Sequence, residues 1–135
     1  MDPSLARSRA GSARIARLGT VRADGSPHLV PCCFVLDGDT AYTAVDGKPK
    51  STTMLRRIRN IEQQPAVSLL VDHYDEDWST LWWIRMDGHA RVVESPEEAD
   101  RARDSLRTKY LQYSAGISLD GAVIAVEISR WAWWP

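Results

Sequence analysis

Alternation and helical spacing divide the chain into three helices and six strands, in the order α-β-β-β-α-β-β-α-β. Residues 4–16 carry a weak helical pattern, with Leu5, Ala6, Ala13 and Ala16 as its apolar positions. Residues 17–45 predict three strands, separated at Ala23-Asp24-Gly25-Ser26 and at Asp37-Gly38-Asp39. Each break holds an Asp-Gly pair, which tolerates positive φ, so the strands form consecutive antiparallel hairpins. The second strand, residues 28–36, is apolar on both faces and needs a covering layer on each. Pro31 interrupts it. Proline has no N–H to give a ladder, so the strand must there be an edge, a bulge or a gap.

Residues 51–62 place Met54, Leu55, Ile58 and Ile61 on one helical face, with Arg56, Arg57 and Arg59 largely off it. A short strand follows at "AVSLLVD", then an acidic loop at "HYDEDW". In "LWWIRMDGHARVVE", Trp82, Ile84, Met86, Ala90 and Val92 alternate with Arg85, Asp87, His89 and Arg91, and Gly88 suggests a bulge. "SPEEADRARDSLRTKYLQY" carries the clearest helix signals. Ser95 is the N-cap, Pro96 takes the first helical position and Glu98 completes a capping box. Ala99, Ala102, Leu106 and Tyr110 form its inner stripe, and "GAVIAVEISRWAW" is the last strand. Hairpin starts with inserted helices predict a mainly β protein built on a six-stranded antiparallel barrel, closed or split, rather than a βαβ fold.

Composition adds limits. The 135 residues fit one domain, residues 1–135. Lys and Arg number 17 against 18 Asp and Glu, for a net charge of -1, so no global basic field awaits nucleic acid and any anion site is local. No segment is apolar enough to span a membrane, and the arginine-bearing N-terminus lacks the apolar stretch of a signal peptide, so a cytoplasmic location is expected. Cys32 and Cys33 are neighbours on a strand and point to opposite faces. With no third ligand spaced to join them, they read as small apolar residues, and no metal site is expected. Six tryptophans cluster at "DWSTLWW" and "RWAWWP", which suits an interface, a flat ligand or ordinary core.

The densest candidate chemistry lies in "YTAVDGKPKSTTMLRRIRN". A strand leads through Lys48 and Lys50 to a helix opened by Ser51 and Thr52. A helix N-terminus presents unpaired N–H groups and partial positive charge, and two lysines beside it favour a phosphate. The alternative is a pair of solvated loop lysines with Ser51 as a cap. The sequence holds neither a Walker loop nor a GxGxxG, and no elbow motif supports a nucleophilic triad. His28, His73 and His89 are scattered and read as rim or surface residues. No catalytic residue emerges; solvent, Tyr74 or His73 could supply a proton.

"LGTVRADGSPHLVP", "YTAVDGKPK" and "LRRIRNIEQQPAVSLLVD", in this order and spacing, resemble the flavin and deazaflavin split-barrel family, also called pyridoxamine-phosphate-oxidase-like. The likeness runs over residues 13–133. "DHYDEDWSTLWWIRMDGHARVV" is similar to an actinobacterial subgroup thought to use coenzyme F420, a deazaflavin. The resemblance implies an FMN-binding-protein-like split barrel and a homodimer with two cofactor sites at its interface. It implies that Lys48 and Lys50, with Ser51 and Thr52 adjacent, hold the cofactor phosphate. The ring would lie against the backbone of Val30, Pro31, Cys32 and Cys33 and of Thr43 and Ala44. Tyr74, Trp78 and the C-terminal tryptophans would wall a small-molecule substrate pocket, partly from the second subunit. FMN-using relatives carry an arginine on the second strand, where this chain's nearest equivalent is His28. That departure favours F420 over FMN, and Arg56, Arg57 and Arg59 could meet F420's acidic tail. The expected function is therefore an F420-dependent oxidoreductase. The alternatives are an FMN-dependent oxidase or reductase and a non-catalytic F420 carrier.

Overall fold

The computed structural model describes residues 1–45 and 52–135, including side chains except those of residues 52–55. The elements in chain order are α1 (Pro3–Ser12), β1 (Ala16–Val21), β2 (Pro27–Cys32), β3 (Val35–Asp37) and β4 (Thr40–Ala44), then α2 (Thr52–Gln63), β5 (Ala66–His73), β6 (Trp82–Val92), α3 (Pro96–Lys109) and β7 (Val123–Trp134). Single 3-10 turns lie at Trp78–Thr80 and Leu111–Tyr113.

All pairings are antiparallel, and the strand order is β2-β1-β5-β6-β7-β4-β3. The two end strands, β2 and β3, are joined by only Cys33 and Phe34. A sheet whose opposite edges are tied by so short a link must curl until those edges meet. The result is a split barrel with three α-helices, as the pattern predicts, but with seven strands in place of six.

The extra strand arises because the expected second strand breaks at Phe34. Its side chain is fully buried, and its backbone turns away from the ladder toward the end of α3. The Phe34 N–H donates to the Tyr110 hydroxyl at 3.1 Å, and the Phe34 carbonyl accepts from Lys109 Nζ at 2.8 Å. The Tyr110 hydroxyl in turn donates to the Arg14 carbonyl (3.0 Å) or the Phe34 carbonyl (3.1 Å).

Two apolar clusters form the core. One fills the barrel with Leu18, Phe34, Leu69, Val71, Ile84, Met86, Ile124 and Val126. The other lies under α3 and joins Ala99, Ala102, Leu106 and Tyr110 to Val35, Tyr42, Val123 and Ala125. β7 is apolar on both faces because it serves both clusters. Gly25 and Gly38 adopt positive φ at the two predicted turns. The bulge expected at Gly88 is present: the register shifts between Asp87 and Gly88, and a Cβ there would collide with the Glu127 carbonyl oxygen.

Local readings are corrected at both flanking helices. α1 ends at Ser12, and Ala16 opens β1. α1 buries Ala6 and Ala10, while Leu5 is exposed, so small residues make its packed stripe. At α3 the Ser95 hydroxyl accepts from the Glu98 N–H at 3.3 Å, as a cap should. The Glu98 carboxylate does not reach back to close the box. It accepts from the Tyr42 hydroxyl (2.7 Å) and from Arg91 (2.7 and 2.9 Å), which ties the helix to β4 and β6. Among the described residues, no helix is long and apolar enough to cross a membrane.

The tryptophans divide. Trp82, Trp131 and Trp133 pack against the barrel core, with Trp131 donating to Asp39 at 3.0 Å and Trp133 to the Met1 carbonyl at 2.9 Å. Trp78 and Trp134 are exposed.

Candidate functional site

The barrel's split is the feature to which local folding rules lead. β3 pairs with β4 only through Val35↔Tyr42, Leu36↔Ala41 and Asp37↔Thr40. Thr43 and Ala44 extend beyond that ladder and pair on one side only, with Ile124 and Val123 of β7. β2 is likewise an edge, paired on one side with β1. Two strand edges therefore face one another without a shared ladder, and each presents backbone polar groups. Pro31 lies on the β2 edge opposite Arg17, an edge position that proline tolerates.

The edges are close. The Thr43 hydroxyl on β4 is among the groups that act on the Cys32 thiol of β2. Burial pushes the Cys32 thiol up to about 11, against smaller lowering effects from Arg57, Thr43 and Lys109. It is a neutral, buried thiol rather than a nucleophile. Val30 and Thr43 are also buried, Cys33 and Ala44 are partly exposed, and Pro31 is exposed.

α2 packs on β1 and β6. Ile61 is buried in the barrel core, and Asn60 donates to the Thr20 hydroxyl at 3.1 Å in a buried contact that pins α2 to β1. The same helix carries Arg57, whose charge acts on Cys32 and His28. His28 is on β2, paired with Thr20, on the same face as buried Val30 and Cys32. Its Nδ1 is buried with no hydrogen-bond partner among the described residues, and so is Arg57 Nε. Burial first, then the charges of Arg22, Arg57 and Arg56, hold the His28 imidazole below the ordinary histidine range. Arg22 is oriented by its own turn, donating to the Pro27 carbonyl at 2.8 Å. Sequence reasoning treated His28 as a rim residue. Only its place beside Val30 on a two-faced apolar strand hinted at burial.

The structure thus brings Val30, Pro31, Cys32 and Cys33 together with Thr43 and Ala44. Lys48, Lys50 and Ser51 lie outside the described residues, as does the side chain of Thr52, whose backbone opens α2. Tyr74 and Trp78 follow β5, whose Leu70 pairs with Arg17 of β1, which in turn pairs with Pro31. Both are exposed, 64% and 70%, on a loop held by Asp75 and Asp77 turns. No group of three or more His, Cys, Asp or Glu side chains could hold a metal ion among the described residues.

The pyridoxamine 5'-phosphate oxidase family model matches residues 6–134. The chain belongs to that family. No curated protein matches it. Among solved structures, a conserved hypothetical protein from Mycobacterium tuberculosis is 22% identical with a TM-score of 0.79, over 99% of this chain and 84% of that one. A heme binding protein from Mycobacterium smegmatis is 20% identical, TM-score 0.75, over 96% of this chain and 52% of its own. An FAD binding protein from the same organism is 16% identical, TM-score 0.66, over 99% and 94%. At these identities the solved structures show a shared fold alone.

Proposed function

We propose that the split between β2 and β4 holds the ring of coenzyme F420, and that the protein is an oxidoreductase passing a hydride between reduced F420 and a small organic acceptor. The observation that carries this reading is the pair of facing, unladdered strand edges at residues 30–33 and 43–44. A flat ring with donors and acceptors on its rim complements such edges, and the fold family fits a ring cofactor. When bound, the cofactor supplies the hydride chemistry. The protein's part is to orient the ring, through backbone groups of Val30, Cys32, Cys33, Thr43 and Ala44, and to exclude water. Pro31 then marks backbone that serves a ligand rather than a neighbouring strand. Lys48 and Lys50, with Ser51 and Thr52, are proposed to hold the phosphate.

The second reading is FMN or another flavin on the same site. It is favoured by the likeness to the FAD binding protein of M. smegmatis. A non-catalytic F420 carrier is the third. Parallel titration with F420 and FMN separates the first two. F420 quenching or enhancement at micromolar protein, with weaker FMN binding, supports F420; a yellow protein that releases FMN on denaturation supports the flavin. Tight F420 binding without turnover of any acceptor supports the carrier. Lys50→Ala is expected to weaken F420 binding by about 1.5–3 kcal/mol, the loss of a charge-assisted contact. Unchanged affinity would remove Lys50 from the site.

A homodimer is part of the proposal. Leu29 on the outer face of β2 is 69% exposed, beside the flat surface left by Gly19, and Tyr74 and Trp78 are exposed and open to a second copy. Light scattering should give twice the 15.2 kDa chain mass. A monomeric mass would refute an interface site.

A further inference from the structure

We propose that Lys109 is a nucleophilic amine and the protein's own acylation site, taking a short acyl group from a thioester donor that enters the cleft between α3, β3 and α1. The site belongs to the Phe34 junction rather than to the facing edges of β2 and β4, and it does not depend on the cofactor reading.

Lysine is the scarce cation of this chain. Among its 17 Lys and Arg residues, only Lys48, Lys50 and Lys109 are lysines. The ion pairs among the described residues are all made by arginine, and Lys109 joins none of them. Its Nζ donates to the Phe34 carbonyl at 2.8 Å. It also lies 4.0 Å from the Phe34 ring centroid and 5.2 Å from that of Tyr110. The side chain is only partly buried. It borders an open cleft of about 460 Å³, walled also by Gly11, Val35, Leu36, Asp104, Ser105 and Thr108. Gly11 leaves the α1 side of that cleft clear, since a Cβ there would meet nothing within 4 Å. An arginine could serve the Phe34 carbonyl, but a guanidinium does not lose its proton. Lysine is the cation that becomes a nucleophile when it does.

The groups acting on the amine are Arg14, Cys33 and Cys32, while Asp104 on the cleft wall is engaged by Arg107 at 3.1 Å. Burial, then Arg14, lowers the ammonium to about 8, so free amine is present near neutrality. The Phe34 carbonyl selects the product. A neutral imine has no N–H to give it. A carbamate would put a negative charge where burial already disfavours charge. A secondary amide is neutral and keeps one N–H for the 2.8 Å bond. In the step itself the free amine attacks the thioester carbonyl, the Nζ–C bond forms and the C–S bond breaks. The departing thiolate takes up the proton that Nζ sheds.

The probe is a simple acetyl thioester, S-acetyl-N-acetylcysteamine, offered to the full wild-type chain with Nα-acetyl-lysine as an internal reference. Peptide mass spectrometry reads the acetylation rate at Lys109. At about pH 7.5 Lys109 should react about tenfold faster than the reference, the gain in free amine outweighing the lower nucleophilicity of a weaker base. Its rate should level off above about pH 8, while that of the reference keeps rising toward the ordinary lysine range. In urea that unfolds the chain, Lys109 should fall to the reference rate. A Lys109 that stays unlabelled, reacts no faster than the reference, climbs with it without levelling, or keeps its rate in urea would overturn the proposal. If Lys109 behaves as expected while F420 and FMN both fail to bind, the cofactor reading falls and this site stands. If a cofactor binds while Lys109 is inert, the reverse holds.

Discussion

The sheet is interrupted where β2 leads into β3 and again where β2 faces the end of β4, and the two interruptions are finished in opposite ways. At the first, Phe34 leaves the ladder but neither of its backbone groups is orphaned: Tyr110 serves the N–H, and Lys109 and Tyr110 serve the carbonyl. The Lys109 ammonium also sits 4.0 Å from the Phe34 ring centroid, and the Arg14 guanidinium 4.6 Å from that of Tyr110. At the second, two strand edges face each other with no ladder, and nearby His28 Nδ1 and Arg57 Nε are buried without partners among the described residues. Leaving a buried polar atom unsatisfied costs about 1–3 kcal/mol. The sealed break therefore reads as architecture. The open one reads as a place shaped for a ligand.

The contrast can be broken most forcefully at the seal. Phe34→Ala should destabilise the protein by about 3–5 kcal/mol, because a fully buried aromatic ring leaves a cavity where three elements meet; urea unfolding measures it. Tyr110→Phe keeps the packing but strands the Phe34 N–H, and should cost about 1–3 kcal/mol by the same assay. Arg57→Leu should change stability by no more than about 0.5 kcal/mol, or raise it, since its Nε has no partner to lose among the described residues. A loss as large as that of Tyr110→Phe would erase the distinction. The finest probe is pH. Burial, then Arg14, lowers the Lys109 ammonium to about 8. Its folded pKa lies below the unfolded value, so the unfolded chain binds the extra proton between about 8 and the ordinary lysine range. Stability should rise with pH across that window in the wild type and lose this rise in Lys109→Met.

What was legible in the sequence follows from the range of the interactions involved. The hairpin turns at Gly25 and Gly38, the bulge at Gly88 and the start of α3 depend on neighbours a few residues apart, and all were readable. The break at Phe34 depends on Tyr110, 76 residues away, so the apolar run from 28 to 36 looked continuous. α1 hid its buried stripe because alanines carry little hydrophobic signal, and Ala10 escaped notice. Glu98 satisfied the capping-box pattern but had stronger partners in Arg91 and Tyr42. At the site, the backbone of residues 30–33 and 43–44 came from resemblance, with Pro31 as the local clue. The action of the Arg57 charge on His28 was not legible, since it reaches His28 from another element, α2.

The most direct test of the open break as the cofactor site is an amide chemical-shift titration of the isotopically labelled protein with F420, repeated with FMN. The account predicts the largest changes at Val30, Cys32, Cys33, Thr43 and Ala44, with Lys109 and Tyr110 unmoved behind the seal. Binding that leaves the first group unshifted, or that moves the sealed junction most, would contradict it.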